Sequence, residues 1–292
     1  QLTSKSLLLA ALLFPCLHSN STASDWPMWR GDAARRGTSS AQLPDKLFLQ
    51  WTLELPKPDT AWPADQEKLQ FDRLYEPVLA GKKLFVGSMV SDKVTAFDTD
   101  SGKELWRFYT GGPVRFSPAI WKDKIFVVCD DGYLYCLQTA DGTLAWKFRG
   151  GPNERRVLGN DRLVSTWPAR GGPVIYDNKV YFGAGIWPFM GIFLHSLDAE
   201  TGRVVWTNSG EGSSYQTQQH GSPAFSGIAP QGYLAANEDF LVISGGSTMP
   251  AVYDRKTGAI KHYDVSSRNM GTKGGGGYDV VLGENFYLNR GC

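Results

Sequence analysis

The chain is long enough for one large domain, and its composition is that of a folded globular protein. Its 292 residues are 42% hydrophobic and 13% aromatic, and they include 33 glycines and 10 tryptophans. The formal net charge is +1. A balance so close to neutral argues against binding that depends on a strongly basic surface, so we expect no nucleic-acid partner.

The first 23 residues have the pattern of an export signal. Lys5 precedes a short apolar run at 7–13, and the small residues at 21–23 suit signal peptidase. The run is far shorter than the roughly 20 residues that a membrane span needs. We therefore predict a signal peptide at 1–23, no membrane span, and a periplasmic or extracellular mature chain. The residues before Cys16 are a poor match to a lipobox, so no lipid anchor is expected.

An eleven-residue phrase occurs four times, at 96–106, 136–146, 196–206 and 252–262. An Asp at its third position can start a turn, a Gly at its seventh supplies positive φ, and a Trp at its eleventh can pack against a neighbouring sheet. The second copy has Gln for the Asp, and the fourth has His for the Trp. The positions that keep the phrase are Asp98, Gly102, Trp106, Gly142, Trp146, Asp198, Gly202, Trp206, Asp254 and Gly258.

A second phrase precedes each copy and has the pattern of a β-hairpin. Two short apolar strands flank a polar turn at 77–84, 118–125 and 173–180, with looser copies at 233–240 and 279–286. Together, the two phrases predict a unit of four antiparallel strands. Radial repetition of such units is typical of a β-propeller, in which each unit is a blade.

These phrases resemble the tryptophan-docking repeat of the pyrroloquinoline quinone (PQQ) repeat β-propellers, Ala-x-Asp-x-x-Thr-Gly-Lys-x-x-Trp. The copy at 96–106 departs from that pattern only at Ser101, and the resemblance covers roughly residues 43–292. It implies an all-β propeller of four-stranded blades in a ring of about seven or eight. The family contains quinone-dependent dehydrogenases and also an outer-membrane assembly lipoprotein that works as a scaffold.

The repeats are incomplete at both ends of this chain. Residues 47–53, around Trp51, match the final Trp-bearing strand of a blade without the strands that should precede it. The last unit stops after its second strand. The sequence therefore predicts that the mature part, 24–292, is a propeller fragment of about four full blades plus partial ones.

Catalytic chemistry is not visible in the sequence. No pattern indicates a nucleophile with its base, and no Cys/His spacing indicates a metal site. Cys129 and Cys136 flank a turn that we place at 131–132, which would pair Cys129 with Leu134 and put both thiols on one face. Their diagonal separation of about 7–8 Å would be too long for an easy disulfide, so we expect free thiols.

Four stretches are not explained by the repeats: 151–172, 183–192, 209–232 and 271–277. Binding residues are often found on loops held by a rigid scaffold, and insertions in neighbouring blades could converge on one rim. Solvated loops with an aromatic plug are the alternative. The candidate binding residues are Arg155, Trp167, Arg170, Trp187 and His220.

Two functions remain open. The favoured one is an exported, non-catalytic binding or scaffold module of the cell envelope, with no cofactor, that recognises an envelope protein or a glycan through its inserted loops. The alternative is a PQQ-dependent alcohol or sugar dehydrogenase. The resemblance implies that such enzymes hold a calcium-bridged quinone at the ring centre with carboxylates and Asn, and many carry a Cys-Cys pair. This chain has no such pair.

Overall fold

The computed structural model describes residues 25–66, 69–159, 161–210, 213–217, 222–246, 248–263 and 276–289. The predicted signal peptide therefore lies outside the described residues. In the described part the chain is all-β, apart from short 3-10 turns that include Pro188–Met190. None of its helices is long and apolar enough to cross a membrane.

Four sheets each contain four consecutive antiparallel strands, and we number them blades 1 to 4. Blade 1 consists of β1 (Val78–Ala80), β2 (Lys83–Ser88), β3 (Lys93–Asp98) and β4 (Glu104–Tyr109). Blade 2 consists of β5 (Ala119–Trp121), β6 (Lys124–Val128), β7 (Tyr133–Gln138) and β8 (Leu144–Arg149). Blade 3 consists of β11 (Gly171–Tyr176), β12 (Lys179–Ala184), β13 (Phe193–Asp198) and β14 (Val204–Asn208). Blade 4 consists of β18 (Ala235–Ala236), β19 (Phe240–Gly245), β20 (Thr248–Asp254) and β21 (Ile260–His262).

The remaining strands are short. Strand β17 (Gly232–Tyr233) pairs in parallel with β11 at the edge of blade 3. The hairpins are β9 (Arg156–Gly159) with β10 (Arg162–Ser165), β15 (Ser213–Thr217) with β16 (Pro223–Gly227), and β22 (Val280–Leu282) with β23 (Tyr287–Asn289). This architecture confirms the predicted class of all-β protein with four-stranded antiparallel blades.

Each Trp of the repeat phrase packs on the Gly of the following phrase. The Trp106 indole donates a hydrogen bond to the Thr139 carbonyl at 3.1 Å, and a Cβ on Gly142 would lie 2.5 Å from the Trp106 ring. Only a residue without a side chain fits there, and Gly142 also has φ of +75°. We call these contacts the docking girdle; its other pairs are Trp51 on Gly102, Trp146 on Gly202 and Trp206 on Gly258.

The phrase Asp residues close the turns that present those glycines. One carboxylate oxygen of Asp98 accepts from the Ser101 amide at 2.8 Å and from its hydroxyl at 2.7 Å. These hydrogen bonds lower the pKa of Asp98 because they favour its charged form. Asp198 and Asp254 bind the Thr three residues later in the same way.

The cysteine register differs by one residue from the prediction. Leu134 pairs with Val128 rather than with Cys129, because Asp130 joins the turn and makes it one residue longer. A one-residue slip moves a side chain to the other face of a sheet. Cys129 and Cys136 accordingly lie in different hydrophobic clusters. Both are buried, and both are free thiols as expected.

Residues 47–53 form no strand in the described structure, contrary to the prediction. Within the described residues no backbone hydrogen bond joins this segment to a strand, and the side chains of Leu47, Phe48 and Leu49 are exposed. Trp51 nevertheless occupies its place in the docking girdle, where its indole donates to the Thr99 carbonyl at 2.7 Å.

Residues 25–37 cross the first strands of the blades, and we call this segment the strap. Trp26 exchanges two backbone hydrogen bonds with Leu79 of β1, at 2.8 and 2.9 Å. Further along, the strap accepts backbone hydrogen bonds from Ile120, Ala236 and Leu282, each the middle or last residue of a first strand. The strap thereby ties together blades that are far apart in sequence.

Candidate functional site

Three of the predicted insertions meet on one face of the molecule. The indole of Trp167, in the first insertion, donates to the Met190 carbonyl in the second at 2.7 Å. Strands β15 and β16 of the third insertion contact the 3-10 helix Pro188–Met190. We call the region formed by the described residues of 59–73, 151–172, 183–192 and 209–232 the insertion face. The fourth predicted insertion lies almost entirely outside the described residues.

Trp62 lies at the centre of the insertion face. Its indole donates to the Gln231 side chain at 3.0 Å, and its ring meets Trp187 edge-on at a centroid distance of 6.1 Å. The Arg170 guanidinium lies 6.0 Å from the Trp62 centroid, within the range of cation–π attraction. Sequence reasoning missed Trp62. A Trp outside every repeat phrase was the signal that could have found it.

A buried ion network forms the floor beneath Trp62. Both carboxylate oxygens of Asp130 accept from Arg170, at 3.0 and 2.9 Å, and one also accepts from Arg115 at 2.7 Å. Arg115 donates in addition to Asp72 at 2.6 Å. All four side chains are buried. Of these residues the sequence had indicated only Arg170, since the four come from separate segments without a shared motif.

The two carboxylates differ in their electrostatic environment. Burial by itself would raise the pKa of Asp130, but the charges and hydrogen bonds of Arg170 and Arg115 outweigh burial and lower this pKa to about 2. Asp72 is bonded to one arginine only, and there burial dominates and raises the pKa. Asp130 is thus a fixed negative charge whose role is to hold two guanidinium groups in place.

The predicted site residues occupy different layers of the insertion face. Arg170, which belongs to the floor, and Trp167 are buried, whereas Trp187 and Arg155 are exposed. Contacts through Trp62 bring Trp187 and Arg170 together. His220 lies outside the described residues.

Four aromatic side chains on the insertion face point to solvent, and we call them the aromatic cluster. Trp187 and Phe189 flank the start of the 3-10 helix, with their centroids 6.1 Å apart. Tyr215 and Phe225 pair across the β15–β16 hairpin at 5.1 Å. Their exposed fractions are 45%, 61%, 65% and 60% in that order. Exposed apolar patches of this kind mark interaction sites on folded proteins.

A concavity lies beside the strap. It has a volume of about 630 Å³ and is lined by Asp32 and Arg36 of the strap, Tyr176, and turns around Glu238 and Glu284. It contains none of the predicted site residues. Arg36 pairs with Asp32 at 2.6 Å, so the acidic charge of the concavity is neutralised in part.

The fold and its docking girdle define a β-propeller built from PQQ-type repeats. The chain belongs to the family described as the outer membrane protein assembly factor BamB, whose profile matches residues 48–270. This match confirms the resemblance drawn from the repeat phrases.

Curated relatives include enzymes of two kinds. The chain is 25% identical to a tetrathionate hydrolase of Acidithiobacillus ferrooxidans over 193 residues, which is 62% of this chain and 32% of the relative. It is 31% identical to the dehydrogenase subunit of a quinone alcohol dehydrogenase of Gluconobacter oxydans over 126 residues, 39% of this chain and 16% of the relative. The chain spans a third or less of the length of these relatives.

Two solved structures share the fold. The quinohemoprotein alcohol dehydrogenase of Comamonas testosteroni has a TM-score of 0.57 at 18% identity, covering 84% of this chain and 42% of that one. A europium-containing methanol dehydrogenase has a TM-score of 0.59 at 16% identity, covering 89% of this chain and 52% of that one. The family match and the curated alcohol dehydrogenase relative show a family related both to BamB and to quinoprotein alcohol dehydrogenases.

The two carboxylates of the floor, Asp130 and Asp72, do not fit a calcium-bridged quinone. Calcium takes about 6–8 oxygen ligands, and carboxylates are its usual charged donors. Both oxygens of Asp130 are engaged by arginines, and one oxygen of Asp72 accepts from Arg115 and from the Ala61 amide. A dication there would also face two guanidinium groups. The floor is an ion-paired support and supplies no free carboxylate pair.

Proposed function

We propose that this protein is an exported, non-catalytic binding module of the cell envelope that docks a partner protein on its insertion face. The observation that carries the proposal is the aromatic cluster, in which two separate insertions present Trp187, Phe189, Tyr215 and Phe225 to solvent. Aromatic side chains are the residues that most often anchor protein interfaces.

Trp187, one member of the aromatic cluster, rests on a chain of specific contacts. Trp187 rests edge-on against Trp62, which is fixed by Gln231 and lies over Arg170. Arg170 is in turn held by both oxygens of Asp130. A side chain that is already held in place loses little conformational entropy when a partner binds, which favours affinity.

A protein partner also suits a second exposed part of the insertion face. The β9–β10 hairpin of the first insertion exposes Leu158 by 75% and Leu163 by 63%. Aliphatic side chains of this size add apolar area at a protein interface. An export signal at 1–23 would deliver the module to the envelope, and sequencing of the exported protein should find Ser24 at its N-terminus.

The test is capture of partners from an envelope extract on immobilised protein, followed by crosslinking and identification of the bound species. The double variant Trp187→Ala/Phe189→Ala should lose the captured partner. The matched control is Leu105→Ala/Tyr109→Ala on β4, where the parent side chains are also exposed, by 47% and 61%. An unchanged captured set in the first variant overturns the proposal.

Two further outcomes separate the alternatives. Capture that survives proteolysis of the extract would identify a glycan instead of a protein. Stoichiometric binding of PQQ with calcium, accompanied by dye-linked oxidation of alcohols or sugars, would establish the dehydrogenase. We expect no dehydrogenase activity, because both oxygens of Asp130 and one oxygen of Asp72 are engaged by the arginines of the floor.

A further inference from the structure

The concavity beside the strap lies where turns of blade 3, of blade 4 and of the β22–β23 hairpin meet. It is bounded by Tyr176 at the end of β11, by the turn at 236–239 and by the turn at 282–285. The strap closes another side with Ala33 and Ala34, whose carbonyls accept hydrogen bonds from β18 and β22, each at 2.8 Å. Several segments that are far apart in sequence thus build one depression.

This concavity is a different surface from the insertion face. Strand β12 starts at Lys179, just after the turn that follows Tyr176, and ends at Ala184, where the second insertion begins. A strand of six residues spans about 17 Å. The concavity and the insertion face therefore lie at opposite ends of blade 3.

The lining of the concavity is acidic, with a formal net charge of −3. Its charged residues are Asp32, Arg36, Glu238, Asp239 and Glu284. Asp32 pairs with Arg36 at 2.6 Å, and Asp239 lies 3.5 Å from Lys256. Among the ion pairs of the described residues, none involves Glu238 or Glu284. These two carboxylates remain available to a cation from outside the chain.

The wall of the concavity already binds one guanidinium of the chain itself. The Arg255 guanidinium lies 4.6 Å from the centroid of the Tyr176 ring, and its Nε donates to the Glu238 carbonyl at 3.0 Å. Arg255 is 3% exposed, and its charge is shared with Asp177 at 3.7 Å. An aromatic face, a carbonyl and carboxylates are the groups that recognise guanidinium ions in proteins. The same set surrounds the open part of the concavity.

Small apolar side chains line the rest of the concavity. Ala33, Ala34 and Ala236 leave it open, and they offer methyl groups to the aliphatic stem of a long cationic side chain. The volume of about 630 Å³ is within the range of about 300–1,000 Å³ that is typical of sites for drug-sized ligands. A short segment with more than one cationic side chain fits these dimensions better than a single ion.

We propose that the concavity beside the strap binds an arginine-bearing segment of another polypeptide. The guanidinium groups pair with Glu238 and Glu284, and the aliphatic stems lie against the alanines. Arginine suits the site better than lysine, because its planar guanidinium pairs with carboxylates through two parallel hydrogen bonds and stacks on aromatic rings. The site is separate from the insertion face, so it does not depend on the docking proposed there.

Calorimetric titration of the full chain with a capped Gly-Arg-Gly-Arg-Gly peptide tests this site. The peptide should bind, and the same peptide with citrulline in place of arginine, which keeps the shape without the charge, should not. Binding should weaken when the ionic strength rises from about 0.01 M to about 0.15 M, because the Debye length falls from about 30 Å to about 8 Å. Glu238→Gln/Glu284→Gln should raise Kd at least about fivefold through the loss of two exposed ion pairs. Both side chains are exposed, so this variant should keep the parental melting temperature.

Asp45→Asn/Glu54→Gln is the matched control, because it removes two charges from exposed positions outside the concavity. It should bind the arginine peptide as the parent does. The proposal is overturned if the arginine peptide does not bind at low salt, if the citrulline peptide binds equally well, or if both double variants lose affinity equally. Tighter binding of spermidine than of the arginine peptide would also overturn it, since the site would then take a free polyamine.

Discussion

The docking girdle and the insertion face are built on opposite principles. In the girdle one contact, a Trp ring on a glycine with a backbone acceptor for its indole, occurs at Trp51, Trp106, Trp146 and Trp206. On the insertion face each contact occurs once, as with Arg170 on Asp130. The repeated contact builds the scaffold, which tolerates changes in single copies of the repeat phrase. The unrepeated contacts give this propeller its individual surface.

The largest effect should come from breaking the floor of the insertion face. Asp130→Ala would leave Arg115 and Arg170 buried without their shared carboxylate, and losing one partner of a buried ion pair costs about 3–5 kcal/mol. Chemical denaturation should show that loss in the free energy of unfolding. Asp141→Ala, at an exposed turn, is the control and should cost about 1 kcal/mol or less. A loss below about 1 kcal/mol for Asp130→Ala would show that the floor is not structural.

The next effect concerns the girdle. Trp106 is 8% exposed, so Trp106→Ala should cost about 3 kcal/mol or more, as core aromatic truncations do. Trp146 is half-buried, so the same change there should cost less, about 2 kcal/mol. Thermal unfolding of both variants shows which substitution destabilises the protein more. Equal losses would mean that ring burial does not set the strength of a girdle contact.

Acid should weaken the floor, and comparison with Asp130→Asn separates this effect from that of the turn carboxylates, such as Asp98, whose pKa is also lowered. The pKa of Asp130 is lowered from 3.8 to about 2, so its stabilisation is complete above pH 4 and is lost as the pH falls through 2. The shift corresponds to about 2 kcal/mol between pH 4 and pH 2. Across this window the free energy of unfolding should fall about 2 kcal/mol further in the parent than in Asp130→Asn. If the free energy of unfolding falls equally with pH in the two proteins, the assigned pairing of Asp130 with the arginines is wrong.

The smallest effect separates backbone strain from contact in the girdle. Gly81 and Gly142 both have positive φ, but a Cβ on Gly81 meets nothing within 4 Å, whereas one on Gly142 lies 2.5 Å from Trp106. Gly81→Ala should cost about 1–2 kcal/mol from strain alone. Gly142→Ala should cost at least about 1 kcal/mol more, because the Trp must move. Equal melting temperatures would show that the Trp–Gly contact is loose.

The scaffold was predictable because its information is local and repeated. An Asp, a Gly and a Trp at fixed spacing specify a turn and two strands, and the blades follow from recurrence. The slip at Cys129 arose because Asp130, Asp131 and Gly132 can all belong to one turn, and counting residues cannot decide its length.

The site was predictable only in outline. Because the insertions lie within neighbouring blades, the sequence predicted that they would meet on one side of the molecule. Trp187 and Arg170 both belong to the insertion face that they form. Arg115, Asp130 and Asp72 were missed because they meet only after three segments fold together. The strap at 25–37 has no strand periodicity, since it crosses the blades instead of extending one of them.

The most direct measurement combines melting and partner capture on the same two variants. Trp187→Ala/Phe189→Ala should keep the parental melting temperature and lose the captured partner. Gly142→Ala should lower the melting temperature and retain the partner at temperatures where it is folded. Two results would contradict this prediction. One is capture of the partner by Trp187→Ala/Phe189→Ala, and the other is loss of the partner by Gly142→Ala at a temperature where this variant is folded. Either would show that the insertion face is not the binding surface.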